Sequence, residues 1–390
     1  MNNKMSTNKS KIRILLTGTH NTPPLAVWKE LKRRGYSNFL WVGQRKSIIG
    51  DKNFSTEYII TKKYGIPFQN IFAGKIRKDL SLHTLIWLAR VPIGFVHSLI
   101  ILLKFRPHII VTFGSHVGLP ITIVGKLLNI PIVAHIQPII TGLADQIIQK
   151  FADIVCYSWK ESKKYLKVDK SNNKYIFTGN PIREGILKPK NSKISLNFKK
   201  KRITIFFTGG NQGAHILNEL VRESIEILAE KYNVIHQTGR YSETKDYEKL
   251  KELAKKINKD YIKYLVFDYL LEDDMGLCLK MCDLVVSRSG ANSCYEYLAL
   301  EKPAILIPLP FSTLNEQFIN ATVLKNAGVA IVVNQLEVTP QKLVSLIDNF
   351  IANLENYKKA AKNAKNLVTL NATEKICDII EKEITNKYTF

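Results

Sequence analysis

Short runs of aliphatic and β-branched residues recur along the chain, and most are followed by a stretch whose apolar positions repeat at helical spacing. The runs predict strands over 12–17, 39–42, 109–112, 132–135, 154–157, 203–208, 234–237, 264–267, 284–287, 304–307 and 330–333. The stretches between them predict helices, among them 25–34, 214–231, 293–300, 316–327 and 340–351. Parallel neighbours need a long crossover, usually a helix, so this alternation predicts parallel sheets covered on both faces. Five to six strand–helix units precede residue 180 and about six follow it, which implies two such sheets. The expected fold class is α/β, two doubly wound parallel sheets that would make a cleft where they face each other.

The polar, basic stretch 188–202, KPKNSKISLNFKKKR, reads as a linker or an exposed connection. The expected domains are therefore 11–185 and 200–355. Residues 356–390 carry a final helix over 357–387, long enough to cross back to the first domain.

In open parallel sheets, ligands bind beyond the carboxyl ends of the strands, where loops meet helix N-termini. TGGNQGA at 208–214 joins a strand to a helix, and its glycines let the backbone approach an anion such as a diphosphate. SRSGANSCYE at 287–296 follows another strand. There Gly290 and Ala291 open a helix, Ser293 can donate to a phosphate, and Glu296 can accept from two ribose hydroxyls. LNEQFIN at 314–320 offers Gln317 to sugar hydroxyls. Each could also be a tight turn or an ordinary helix start with an acidic first turn. In the first half, TGTHNTPP, FGSHVGLP and HIQPIITG place His20, His116 and His135 at strand ends on one expected edge. NPIR at 180–183 ends on an arginine that could reach a diphosphate.

Composition narrows the classes of function. The 390 residues are 45% hydrophobic and 23% charged, which excludes a disordered chain or a polytopic membrane protein. Five dispersed cysteines give neither a disulfide framework nor a zinc pair. The formal charge is +24, and it is uneven. Residues 1–180 hold 27 Lys and Arg against 8 Asp and Glu, a balance of +19, and residues 181–390 hold 30 against 25, a balance of +5. A basic first half implies an anionic partner. The most apolar stretch, 85–103, is interrupted by Arg90, Pro92 and His97, so it is not a span. Bracketed by Lys75, Arg77, Lys78, Lys104 and Arg106, it suits either a helix lying on an anionic bilayer or two core-packing helices. The polar, basic start of the chain does not read as a signal peptide.

In order and spacing the motifs resemble the MurG family of inverting glycosyltransferases. TGGNQGAHILN is similar to that family's GGSQGAxxLN, GNPIRE to its GNPVR, DLVVSRSGANSCYE to its DLVVxRSGAxTxxE, and LPFSTLNEQFINA to its stretch ending in QxxNA. The resemblance covers about 11–351. It implies a GT-B fold, two Rossmann-like doubly wound parallel-sheet domains facing a cleft, and transfer of N-acetylglucosamine from UDP-GlcNAc to undecaprenyl-pyrophosphoryl-N-acetylmuramoyl-pentapeptide in peptidoglycan synthesis. It also implies a donor-binding second domain, a first domain for the polyprenyl-pyrophosphate-linked glycan acceptor, and a peripheral place on the cytoplasmic face of the cell membrane. Carried over, Arg183 and Asn211 contact the diphosphate, with Gly210, Gly213, Gly290, Ala291 and Ser293 around it. Glu296 takes the ribose, Gln317 reads the sugar, and backbone at 273–275 faces the uracil. His20 is the implied base or acceptor-phosphate ligand, with Thr19, His116 and His135 on the acceptor side. The first half departs from the family pattern: its glycine-rich first loop reads LTGTH, its GGYxSGP reads GSHVGLP, and its HEQN reads HIQP. In the second half, Glu316 stands where the first of two glutamines is expected.

The implied reaction is a single displacement at the anomeric carbon, with a general base on the acceptor hydroxyl. No DxD strand end is present, and Asp273–Asp274 read as a loop, so neither a metal nor another cofactor is expected. Rival readings are a related enzyme with a different lipid or glycan acceptor, a UDP-binding protein without activity, and a UDP-GlcNAc 2-epimerase-like enzyme. Nucleic acid is not an expected partner, because the lysines are dispersed and no recognition motif accompanies them.

Overall fold

A computed structural model describes residues 9–19, 21–46, 54–74, 82–166, 174–241 and 243–388, with backbone alone over 82–90. The chain divides into one compact unit over Met1–Ile182 and Thr369–Phe390 and another over Arg183–Val368.

The first unit is built on seven strands: β1 (Arg13–Thr17), β2 (Asn38–Gly43), β3 (Phe68–Asn70), β4 (Ile109–Thr112), β5 (Ile132–Ile136), β6 (Ile154–Tyr157) and β7 (Tyr175–Phe177). They pair in parallel in the order β3-β2-β1-β4-β5-β6-β7. The central strands β4 and β5 are wholly buried, as their largely apolar sequences IIVT and IVAHI suit. The helices are α1 (Thr22–Arg33), α2 (Thr56–Tyr64), α3 (Leu82–Phe105), α4 (Ser115–Leu127) and α5 (Leu143–Phe151). Sequence sets their ends. α1 opens on Pro23 and Pro24, and α2 runs from a Ser55 cap, whose hydroxyl accepts from the Tyr58 amide, to Gly65 at φ +65°. The C-terminal helix Ala372–Lys387 belongs to this unit, and its Ile376, Cys377, Ile380 and Ile384 join Leu25, Trp28 and Leu31 in one core. Arg34 ties the same helix down through Glu30, Asp378 and Glu381, each at 2.7 Å.

The second unit carries α6 (Glu184–Leu187), β8 (Thr204–Thr208), α7 (His215–Lys231), β9 (Asn233–Gln237), α8 (Asp246–Ile257), β10 (Tyr264–Phe267) and α9 (Glu272–Met281). Then follow β11 (Leu284–Ser287), α10 (Ala291–Ala299), β12 (Ala304–Leu306), α11 (Glu316–Asn326), β13 (Ala330–Val332), α12 (Pro340–Ala352) and α13 (Leu354–Ala364). Its six parallel strands run β10-β9-β8-β11-β12-β13. In both sheets the order reverses once, between β1 and β4 and between β8 and β11.

Four expectations need correction. The long final helix over 357–387 is two helices, α13 and Ala372–Lys387, parted by a short 3-10 turn at Lys365–Leu367. The stretch around 85–103 is one continuous α3 with Pro92 inside it. Apolar packing of Ile101 and Leu102 against the sheet outweighs the roughly 3 kcal/mol that an interior proline costs. Asp273 and Asp274 stand in the first turn of α9, not in a loop, where negative side chains suit the helix dipole. There Asp273 accepts from the Lys190 and Asn191 amides at 3.0 and 3.1 Å, and Asp274 from the Lys193 amide at 2.7 Å, so the polar stretch is pinned to α9. The edge strands β3 and β7, three residues each, lie outside the expected set.

Candidate functional site

Strand order decides where a ligand can enter each sheet: at the crevice where the order reverses. In the second unit β8 and β11 pair with Thr208 opposite Ser287, so the loops after them leave side by side. Gln237 and Leu306 stand in register beside these two, bringing the loops after β9 and β12 to the same edge. Three of the sequence motifs, at 208–214, 287–296 and 314–320, thereby share one edge, and Arg183 joins them through Glu296.

The 209–213 loop turns on Gly210 and Gly213, at φ +82° and +87°, where a side chain would be strained. The Gly210 amide donates to Thr208 Oγ1 at 3.1 Å, and Gln237 Nε2 donates to the Gly210 carbonyl at 3.2 Å. Neither Ala214, the cap of α7, nor Gly290, the cap of α10, closes its helix with a side-chain bond. These two helix N-termini present partial positive charge at neighbouring strand ends, which is the electrostatics of an anion site. A Cβ on Gly290 would meet nothing within 4 Å, so the approach there is open. Asn211 is half-buried in the same loop, and Ala291 is buried at the start of α10.

Glu296 and Arg183 are each 7% exposed and meet at 3.5 Å between Oε1 and Nη2. Burial raises the Glu296 pKa, and the arginine beside it opposes that rise. Arg183 Nε is buried without a hydrogen-bond partner. A buried guanidinium with an unmet donor, beside a carboxylate at the long end of contact, is ready to rearrange around polar groups. Gln317 is half-buried; its Oε1 accepts from the Leu309 amide at 3.0 Å, and its carbonyl accepts from Ser289 Oγ at 2.8 Å. Its Nε2 therefore carries the remaining donor capacity. Leu314 and Asn315 precede it at φ +54° and +55°, a pair of non-glycine residues in the left-handed region. Ser293 bonds the Tyr297 hydroxyl, so its own hydroxyl already has a partner.

Arg288 was missed by sequence reasoning. Its Nη1 donates to the Ile307 carbonyl at 2.9 Å and its Nη2 to Gln335 Oε1, which ties the loops after β12 and β13 to that after β11. Asn320 donates to the Ser289 carbonyl at 3.3 Å from α11. The arginine of the SRSG run was the available signal. His215, Glu219 and Asp246 hold ligand atoms within 4.8 Å of one another, the one such group among the described residues. Arg222 already meets Glu219 at 2.8 Å, and Asn218 meets Asp246 at 2.7 Å.

At the first unit's reversal, Thr17 of β1 stands opposite Thr112 of β4. His20 lies outside the described residues. Thr19 is half-buried beyond Gly18. His116, on the first turn of α4, holds Gln44 Oε1 at 3.3 Å and keeps an exposed part. His135 departs from its expected acceptor contact. It is 0% exposed in β5, with Nε2 3.0 Å from the Gly179 carbonyl and 3.3 Å from Ser158 Oγ. Burial pushes its pKa down to about 4, so it is a neutral strut inside the sheet. A central strand covered on both faces buries alternate side chains alike, and strand-end position alone does not expose one. The Ser115 amide at the start of α4 donates to Asp145 Oδ1 at 2.7 Å, and burial pushes that carboxyl up to about 6.

On α3, Ile93, Val96, Ile100 and Leu103 are exposed, with Phe72 also exposed and Lys104 and Arg106 at the helix end. No helix among the described residues is long and apolar enough to cross a membrane.

Comparison with known proteins gives the family and the fold. The family model for the glycosyltransferase family 28 N-terminal domain matches residues 16–157, and that for the family 28 C-terminal domain matches 204–381. A relative from Clostridium perfringens (strain SM101 / Type A) is 33% identical over 379 residues, which span 95% of this chain and 98% of the relative. It is named UDP-N-acetylglucosamine--N-acetylmuramyl-(pentapeptide) pyrophosphoryl-undecaprenol N-acetylglucosamine transferase. Among solved structures, MurG of Acinetobacter baumannii superposes with a TM-score of 0.64 at 21% identity, over 95% of this chain and 99% of that one. A UDP-GlcNAc 2-epimerase from Neisseria meningitidis, bound to UDP-GlcNAc, superposes with a TM-score of 0.62 at 13% identity, over 95% and 99%. At these identities the two structures speak for the fold, which is shared by a transferase and an epimerase.

Proposed function

This chain belongs to glycosyltransferase family 28, and from that premise we propose that it moves N-acetylglucosamine from UDP-GlcNAc to undecaprenyl-pyrophosphoryl-N-acetylmuramoyl-pentapeptide, with inversion. The observation that carries the reading is the pair of uncapped helix N-termini at adjacent strand ends, 209–214 and 290–291, beside the buried Arg183–Glu296 pair. That arrangement suits a uridine diphosphate better than a neutral ligand. Full-length similarity to a relative named for this reaction supports the transferase over an epimerase.

In the proposed mechanism the acceptor hydroxyl attacks the anomeric carbon as the bond to the UDP oxygen breaks. The hydroxyl proton passes to a base, for which His20 is the candidate, and the bonding pair leaves with UDP. Charge growing on the diphosphate is met by the 209–213 loop with Asn211, by the start of α10 with Gly290, Ala291 and Ser293, and by Arg183. Ser293 would turn from Tyr297 towards the phosphate. Glu296 accepts from the ribose hydroxyls, and Gln317 offers Nε2 to the sugar. Thr19 and His116 are the candidate acceptor contacts. His135 is left out because it has no surface. No divalent ion is assigned a role.

The acceptor is lipid-linked, so the protein must meet a membrane from one side. The exposed ridge on α3, with Lys104 and Arg106 at its end, is the proposed docking face on the anionic cytoplasmic leaflet. Nucleic acid has no part in this reading.

A transfer assay with UDP-GlcNAc and a short-chain lipid I analogue tests the proposal. Disaccharide product with that acceptor is expected, together with inversion at the new bond. UDP release only with some other acceptor would replace the acceptor assignment, and epimerised donor without transfer would replace the whole reading. Cosedimentation of Ile100→Asp with phosphatidylglycerol vesicles tests the ridge: binding should fall severalfold, and unchanged binding would remove α3 from the account.

A further inference from the structure

The loop at 209–213 rests on a second loop. A Cβ on Gly213 would run into the Thr238 carbonyl oxygen, and a Cβ on Gly239 would run into the Gly213 backbone. The turn after β8 thus lies backbone to backbone on the turn after β9, so displacing one displaces the other. What holds the second turn is a chain of buried polar groups. Asn218, one turn into α7, donates through Nδ2 to the Thr238 carbonyl at 2.9 Å and to Asp246 Oδ2 at 2.7 Å. Its Oδ1 faces His236 Nε2 at 3.0 Å, and His236 Nδ1 faces the Tyr264 hydroxyl at 2.9 Å. At the outer end, Asp246 meets His215 Nδ1 at 2.9 and 3.1 Å.

The direction of each bond follows from the groups themselves. An amide oxygen only accepts, so His236 carries its proton on Nε2 and takes the Tyr264 proton at Nδ1. Burial holds His236 down to about 3, so one neutral tautomer persists at physiological pH. Asn218 is then fixed at both ends of its amide. Asn218, His236, Tyr264 and Asp246 are all buried. A polar chain in such a place is costly unless every member is served, and it then gives one geometry in return.

We propose that Asn218, His236 and Asp246 are positioning residues for the donor: they clamp the Thr238 carbonyl beneath Gly213 and so set the shape of the loop that receives the diphosphate. None of the three touches the donor. The inference rests on the reading of that loop as the diphosphate site.

Three variants test it by calorimetric UDP affinity, by steady-state kinetics and by melting temperature. His236→Phe keeps an aromatic ring but loses the donor to Asn218. His236→Gln restores an amide donor near the Nε2 position. Asp246→Asn keeps the shape at the outer end and removes the charge. The proposal expects His236→Phe to weaken UDP binding by about tenfold and to lower kcat/KM for UDP-GlcNAc by at least as much, with kcat falling too, because the displaced loop also meets the charge that grows on the leaving diphosphate. It expects His236→Gln to recover most of that loss, and Asp246→Asn to fall between the two. A lower melting temperature with UDP affinity unchanged in all three would overturn it, leaving the chain a matter of stability alone. Should His236→Phe fail to fold, Asp246→Asn with unaltered affinity does the same. Wild-type protein that binds no UDP would instead overturn the diphosphate reading and take this inference with it. Wild-type binding that Glu296→Ala weakens and these variants do not would overturn this inference alone.

Discussion

The two units each reverse strand order once, and the two crevices are furnished differently. In the second unit, β8 and β11 hand the chain to helices whose caps, Ala214 and Gly290, provide no side-chain bond. In the first unit, β1 and β4 have the same relation, but the start of α4 is already answered by the Asp145 carboxylate at 2.7 Å from the Ser115 amide. One crevice is open to an external anion, and the other carries an internal one. Topology therefore names the place, and the residues in the first turn of each following helix decide what the place can bind. The same contrast appears in charge. The first half of the chain holds most of the net positive charge, +19 of +24, yet its crevice has an acid at the helix end, whereas the nearly balanced second half holds the proposed anion site. Net charge describes a whole surface, whereas the proposed diphosphate site is a local arrangement of helix ends.

The largest expected effect falls on the open crevice. Glu296→Ala removes the proposed ribose acceptor, whose charged hydrogen bonds are worth about 1.5–3 kcal/mol each, and leaves Arg183 buried without its anion, a separate cost to folding. UDP affinity measured by calorimetry should drop by roughly a hundredfold or more, and parity with wild type would erase the distinction between the crevices. Next, Gly213→Ala places a methyl group against the Thr238 carbonyl at φ +87°. A thermal melt should show a loss of about 2 kcal/mol, with weaker UDP binding beside it, and an unchanged melt would mean the loop tolerates movement.

A smaller effect belongs to the first unit. Glu57 is buried, accepts from the Gln44 backbone, and is pushed up to about 7 by desolvation, above its ordinary 4.5. A carboxyl whose folded pKa is raised binds its proton more tightly when folded. Its contribution is therefore greatest below pH 4.5 and is lost as pH climbs towards 7. The wild-type melting temperature should accordingly fall by a few degrees relative to Glu57→Gln between pH 5 and 8. The reverse trend would mean that this carboxylate is stabilised as an anion. Smallest of all, transfer in EDTA should stay within about twofold of untreated protein, because helix ends and Arg183 are assigned the diphosphate charge. Activity lost in EDTA and restored by magnesium would show that the second crevice works through a cation.

Sequence pattern located much of this. Central strands were legible because burial on both faces leaves near-continuous apolar runs such as IIV at 109–111. The strand-to-helix turns were legible because glycine at 210 and 213 answers a backbone need. β3 and β7 were not, since three-residue edge strands carry no period. Pro92 predicted a break that packing overrode. His135 looked like a site residue because strand ends attract chemistry, but its ring turns into the sheet, and no one-dimensional pattern records which way a ring turns. Arg288 and Asn218 act by reaching carbonyls in other loops, contacts that exist only once the strands are in register.

The central claim is that the donor's diphosphate sits at the second crevice and not the first. Hydrogen exchange of the full chain, with and without UDP, reads both at once. The account predicts slower exchange over 209–215 and 289–296, with peptides over 114–118 unaffected. Protection confined to 114–118, or none in either place, would contradict it.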